Sequence, residues 1–195
     1  VASCNDKDFQ NLMDVYLDAV LHPNIYKHQE IFWQEGWSYQ LEDKDADLTY
    51  NGVVYNEMKG AFSSPDGVLD RMILNALFPD TTYANESGGD PDVIPELSYE
   101  EYLDFHRTYY HPSNSFIYMY GDVDAVERLD FLHDEYLSKY EYLEVDSKLT
   151  IQKAFDKPHY EDRKYSIGNN EDEKDKAYVA YTTTFGECTD VKIYY

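Results

Sequence analysis

Residues Asn51–Phe62, "NGVVYNEMKGAF", are the stretch on which the reading turns. Two β-branched valines run into a segment of helical character, and Glu57 stands where the apolar run stops. By spacing alone Glu57 is an ordinary helix carboxylate facing water, the usual fate of a helix glutamate. The alternative, one ligand of a metal site whose other members lie elsewhere, needs support from the rest of the chain.

Working outward, "LEDKDADLTYNG" before this stretch reads as an acidic loop closed by the Asn51-Gly52 turn signal. "SSPDG" after it reads as a break, followed by a helix carrying Val68, Leu69, Met72, Ile73, Ala76 and Leu77. Upstream, Asp6 is placed to cap a helix with Phe9, Leu12, Met13, Tyr16, Leu17 and Val20 on one face, ended by Pro23. A second helical patch, "KHQEIFWQEGWSYQLE", changes to turn chemistry at Gly36, and Trp33 and Trp37 are expected to pack it on a sheet. Phe78 to Leu97 is a long loop rich in Pro, Gly, Asp and Ser. Ser98 and Glu101 form a capping box opening "SYEEYLDFHRTYY", which "HPSN" stops. Tyr109, Tyr110 and His111 read as core and helix-end residues. "SFIYMYGDV" is a short apolar run of strand type. Ala125 to Tyr140 is helical with Val126, Leu129, His133, Tyr136 and Leu137 on one side, and the remainder reads as strand-like pieces between charged loops. The class is α+β, with helices packed on one face of a mainly antiparallel sheet.

Composition narrows the functions. The chain has 195 residues, 43% hydrophobic, enough for one domain with a sizeable core. Its twenty-one tyrosines suit half-buried sheet faces and peptide-contacting clefts. A net charge of -23 repels phosphate backbones, which argues against nucleic-acid binding; it suits solubility first and attraction of cationic peptides second. Cys4 and Cys188 are the two cysteines, far apart and outside any CxxC pair, which argues against a disulfide framework and a thiolate zinc site. No apolar run reaches bilayer length and no signal-peptide pattern opens the chain, so the expected location is the cytoplasm, with no membrane partner.

Self-contained active sites are missing from the sequence. Neither HExxH nor HxxEH occurs. His106 and His111, five residues apart, fall roughly 140° apart around a helix and cannot chelate together there. Phosphate loops are absent, and "SGG" at Ser87 to Gly89 has no strand-turn-helix frame for a nucleophile elbow.

Taken in order, "KDFQNLMDVYLDAVLHP", "FWQEGWSYQLE", "GVVYNEMKGAFSSPD", "LFPDTTYANESGGDPDVIPELSYEEYLDFHRTYYHPSN" and "YGDVDAVERL" resemble the presequence-protease branch of the pitrilysin/insulinase zinc metallopeptidases. The resemblance is collinear over most of Lys7 to Leu137 and weakens after Tyr140. It implies a zinc endopeptidase that degrades short unstructured peptides, basic ones included, with a metal-activated water. The family carries two His ligands and a base Glu in HxxEH on an earlier helix, and a third ligand, a Glu, in a motif matching "VVYNEMKG". By that match Glu57 is the carried-over zinc ligand, Asn56 and Lys59 flank it as candidate supporting residues, and no catalytic base lies within this chain. Insulinases have a further Glu two helical turns before the ligand; here Tyr50 holds that place, so no such role transfers. "ESGGDP", with Ser87, Gly88 and Gly89, has two readings of equal weight: a loop beside the substrate cleft, or a tight turn bracketed by Pro91.

The missing HxxEH is expected to reflect truncation, since the chain starts at Val1 without Met and stops at Tyr195 within "VKIYY". On this reading residues 1–140 are the C-terminal part of the first catalytic half, and 141–195 connect to the following half. The two His ligands and the remainder of the polypeptide would then lie outside these residues. The competing reading is a noncatalytic peptide-binding or scaffolding homologue of the same fold.

Overall fold

The computed structural model describes residues 3–185; Val1, Cys188 and the "VKIYY" end lie outside them. The described chain divides into two compact units interleaved in sequence. The first holds the chain up to Gln34 together with Leu97–Lys148, and the second holds Glu35–Glu96 with the chain from Leu149 on.

In the first unit, α1 (Asp6–Leu21) begins at Asn5, whose side chain accepts from the Asp8 N–H at 2.9 Å. Asn5, not Asp6, is therefore the cap, because an extended residue outside the first turn can face the free N–H groups. Helix α2 (Glu30–Glu35) is short. Helix α5 (Tyr99–Tyr109) opens with the expected capping box, Ser98 N donating to Glu101 at 2.8 Å and Glu101 N donating to Ser98 Oγ at 3.3 Å. Leu17, Leu132 and Tyr136 form a small core, with Met13, Leu21, Phe131 and Leu137 packed around it. Phe32 lies against Tyr99 and Tyr102, their ring centroids 6.0 and 5.4 Å away.

Along helix α6 (Ala125–Glu135) and the turn after it, the predicted apolar stripe holds at its end, where Tyr136 and Leu137 lie in and against the core, and fails at its start. Val126 and Leu129 are exposed, while Arg128 and Leu132 are buried, followed by Tyr136. The cause is a pair of polar anchors. Arg128 donates to Asp6 at 2.6 Å and to Gln10, and Tyr136 donates to the Asp14 carboxylate at 2.5 Å and backbone carbonyl at 2.8 Å. Satisfying these groups outweighs burial of two aliphatic side chains.

The second unit carries the described sheet: β1 (Ser38–Gln40) pairs antiparallel with β2 (Thr49–Asn51), Tyr39 opposite Tyr50. Asn51 thus ends a strand, and the Asn51-Gly52 pair joins that strand to α3 (Val53–Ala61) instead of closing a loop. Helix α4 (Pro65–Leu77) starts inside "SSPDG": Ser64 accepts from Gly67 N at 3.1 Å and Pro65 takes the first turn, so the expected break is a cap. The long loop that follows contains short 3-10 turns at Thr82–Ala84 and Ile94–Glu96.

Several expectations change. Among the described residues the antiparallel sheet has two strands, and α3 is the helix that lies against it. "SFIYMY" forms no strand, and neither does any segment between 141 and 185. A strand needs a partner ladder as well as apolar residues, and sequence pattern reports only the residues. Trp33, Tyr109 and Tyr110 are exposed, so none of them is core; Trp37 packs on the sheet through Tyr39 and Tyr50. The described core is thin, with nearly all of its buried apolar residues in the first unit and Ile94 in the second, and is smaller than the single core that composition allows.

Candidate functional site

Helix α3 is seated by backbone contact. A Cβ on Gly52 would come within 2.7 Å of the Gly36 carbonyl carbon and 2.8 Å of Trp37 Cα, so only glycine lets the helix start this close to the β1 side. Tyr55 N donates to the Gly36 carbonyl at 3.3 Å, and Asn56 N to the Gly52 carbonyl at 3.0 Å. The strand-helix junction therefore fixes where Glu57 stands.

Glu57 is exposed, and its carboxylate makes no hydrogen bond or ion pair among the described residues. Its two neighbours are turned to other work. Asn56 Nδ2 donates to Asn51 Oδ1 at 2.8 Å, tying the helix to the end of β2. The Lys59 ammonium sits 5.8 Å from the Tyr55 ring centroid. Both shape the helix that carries Glu57 without touching its carboxylate.

The "ESGGDP" loop comes against the same helix. A Cβ on Gly88 would overlap the Met58 thioether and reach 3.1 Å from its Cε. Gly89 has φ +91°, a left-handed conformation favouring glycine, and a Cβ there would press on Ile94 at 3.0 Å. Ser87 is exposed beside them. The loop is thus both a tight turn and a neighbour of α3.

Two further features escape the spacing arguments. Trp37, Tyr39, Tyr50 and Tyr55 form a run of ring contacts at 5.4–5.9 Å, with Tyr39 61% exposed, beside the Glu57 helix. Alternation of Trp37 and Tyr39 in the sequence is its only signal. Arg71 is buried on α4 and donates to the Ala84 carbonyl, which Asn75 also meets, so the turn leading into "ESGGDP" is held by a buried cation.

The described residues contain no group of three or more His, Cys, Asp or Glu side chains able to hold a metal ion. His106 is engaged by Tyr26 Oη at 2.7 Å and the Val20 carbonyl at 2.9 Å. His111 accepts from Ser113 N at 3.1 Å, and the two histidines serve separate structural contacts. One oxygen donor, Glu57, suits zinc, which takes carboxylate ligands, but a single carboxylate does not make a site. No described helix is long and apolar enough to cross a membrane.

The fold and this helix fall within a known class. A family model described as the Peptidase M16 inactive domain matches residues 96–188. The chain is a relative of the presequence proteases within the M16 peptidases, as the collinear motifs imply. It is 56% identical over 190 residues to Protein HypA of Clostridium perfringens, covering 97% of this chain and 20% of that protein. It is 50% identical over 178 residues to Presequence protease 1, chloroplastic/mitochondrial, of Arabidopsis thaliana, covering 90% of this chain and 16% of that protein. The mitochondrial presequence protease of Mus musculus is 45% identical over 157 residues, 79% of this chain and 15% of that protein. The chain therefore spans a fifth or less of the length of these relatives.

Proposed function

We propose that these residues are part of a zinc-dependent endopeptidase that degrades short unstructured peptides, with Glu57 as one metal-ligating carboxylate. The observation carrying this reading is Glu57 itself: a carboxylate exposed and uncommitted, on a helix whose start is pinned by the Gly52–Gly36 contact. Bound zinc would supply Lewis-acid chemistry for peptide hydrolysis. This chain's residues do the positioning. Asn56 ties α3 to β2, Lys59 two residues along the same helix adds positive charge, and Ser87, Gly88 and Gly89 offer backbone beside the helix as part of a substrate cleft. Two histidine ligands and the base are expected in the remainder of the polypeptide. The division at residue 140 between first half and connection is part of the same proposal, as are basic peptides among the substrates. Nucleic acid and membrane are not expected partners of a chain carrying -23. A cytoplasmic location is part of the same proposal, although the Arabidopsis thaliana and Mus musculus relatives carry organelle names.

The test is Glu57→Gln in the full-length protein, with zinc counted by elemental analysis. Zinc affinity should fall by more than ~100-fold and peptide cleavage with it, a ligand counting for more than its outer partners. Stoichiometric zinc in the variant would remove Glu57 from the ligand set. The 195-residue chain alone should neither bind zinc tightly nor cleave peptides, and submicromolar zinc binding by it would contradict that.

One observation favours the second reading, a noncatalytic peptide-binding or scaffolding homologue: the matching family model is described as an inactive domain. Full-length protein that holds peptide but leaves it uncut with zinc present would establish it.

A further inference from the structure

We propose that Arg71 and Asn75 of α4 are positioning residues for peptide binding. By clamping the Ala84 carbonyl they hold the Glu86–Gly89 backbone against α3, where it meets the main chain of a bound peptide.

The clamp comes from one face of α4. Arg71 Nη1 and Asn75 Nδ2, one helical turn apart, both donate to the Ala84 carbonyl and so use its two acceptor positions. Ala84 closes the 3-10 turn Thr82–Ala84, its N–H donating to the Thr81 carbonyl at 3.1 Å and that of Asn85 to the Thr82 carbonyl at 3.0 Å. From there the loop runs to a second anchor, the buried Ile94, whose N–H donates to the Asp90 carbonyl at 2.8 Å. Between the anchors, Gly88 lies on Met58, the residue after Glu57, with no room for a Cβ.

For stability alone Arg71 is an expensive choice. It is 8% exposed, has no carboxylate at ion-pair distance among the described residues, and leaves Nε buried without a partner. An apolar side chain of similar volume at such a place is often neutral or stabilising. What the guanidinium adds is a charge-assisted bond to one carbonyl, stronger than a neutral bond and directional. Two donors converging on that oxygen fix the Ala84–Asn85 peptide unit, and that unit aims the chain into "ESGGDP".

The backbone aimed in this way has bonding capacity to offer. Neither the N–H nor the C=O of Ser87 and Gly88 has a hydrogen-bond partner among the described residues, and Ser87 is exposed. Gly89 N, by contrast, is closed onto the Glu86 carbonyl at 3.0 Å. Free main-chain donors and acceptors beside α3 suit the main chain of an unstructured peptide, whose own amide groups need partners once water is displaced. The inference rests on the reading of Ser87, Gly88 and Gly89 as part of a substrate cleft. It does not rest on Glu57 binding zinc, so the zinc-free protein should hold peptide through the same loop.

The test uses the full-length protein. Arg71→Met keeps an unbranched stem and drops the donors. It should weaken binding of a fluorescently labelled unstructured peptide, measured by anisotropy in chelator so that the peptide stays intact, by about 10-fold. With zinc present, KM should rise by a similar factor while kcat stays within about 2-fold and bound zinc is unchanged. Arg71→Lys, which keeps a charged donor, should recover most of the loss. Asn75→Ala added to Arg71→Met should cost less than it does alone, because both side chains act through one carbonyl. Unchanged peptide affinity in Arg71→Met overturns the proposal, and so does a fall in kcat or in bound zinc at constant KM, which would place the effect at Glu57. Hydrogen exchange of the unsubstituted protein needs no variant to fold: bound peptide in chelator should slow the Ser87 and Gly88 amides by more than ~10-fold, and exchange indifferent to peptide overturns the proposal. If the full-length protein cuts no peptide, the endopeptidase reading fails, and the affinity and exchange measurements still decide the role of the clamp.

Discussion

Arg128 is buried with its guanidinium on Asp6 at 2.6 Å, yet Asp6 is 63% exposed, so the pair sits at the edge of the unit rather than inside it. The stem packs and the head is half paired, with Nε buried and unpartnered. Arg128→Ala is expected to lower stability by about 2–4 kcal/mol through lost packing and stranded partners, and Asp6→Ala by about 1 kcal/mol, read from urea midpoints. Tyr136 adds a pH effect. Burial, and behind it the Asp14 carboxylate, raise its phenol above the ordinary tyrosine value. Its contribution is therefore full below about pH 10 and is lost as pH climbs toward the raised value. Tyr136→Phe should cost about 1–2 kcal/mol at neutral pH and reduce the loss of stability above pH 10. None of this was legible in the sequence. Asp6 and Arg128 are separated by 122 positions, and nothing in either neighbourhood marks the other.

Local elements were legible to the extent that their determinants are local. The Ser98–Glu101 box reads directly because its two groups lie three residues apart. Ser98 holds the Glu101 carboxyl below the ordinary range through its backbone N–H and then its hydroxyl. The cap should therefore support α5 at neutral pH and fade as pH falls through the depressed value; Ser98→Ala, which keeps the backbone N–H, should weaken that acid response in hydrogen exchange of α5, and Glu101→Gln should remove it. The start of the α6 stripe is not legible for the opposite reason: apolar spacing selects Val126 and Leu129 along with the core residues Tyr136 and Leu137, and distant polar partners turn the first two outward. Helix α3 contains both situations in one element. Gly60 has open space around its Cβ position, so Gly60→Ala should stabilise the helix by up to ~1 kcal/mol. Gly52→Ala meets the Gly36 backbone and should cost more than ~1 kcal/mol, displacing Glu57 and lowering zinc retention in the full-length protein. A variant pair with equal stability and equal zinc would mean the junction does not place the helix.

For the molecule as a whole, sequence identified the motifs better than it identified their assembly. Glu57 and the "ESGGDP" loop were marked separately, and their meeting through Met58 and Gly88 depends on a turn held by Arg71, which has no signature in spacing. The acidic balance, by contrast, is read from composition without any fold. Between β1 and β2 the chain runs through Glu42, Asp43, Asp45 and Asp47 against a lone Lys44, in the same unit as Glu57 and next to the aromatic run of Tyr39 and Tyr50. Field from such a loop reaches about 8–10 Å at moderate ionic strength and shortens as salt is added. If it draws basic peptides toward the Glu57 helix, its effect belongs to encounter and should appear in kcat/KM. Cleavage of a peptide bearing several arginines by the full-length protein should fall as salt rises from about 0.05 to 0.5 M, while cleavage of a neutral peptide stays level. Converting Glu42, Asp43, Asp45 and Asp47 to their amides should flatten the first curve and leave the second alone. Identical salt curves before and after neutralisation would restrict this loop to solubility and leave peptide choice to the aromatic run and the Ser87–Gly89 backbone.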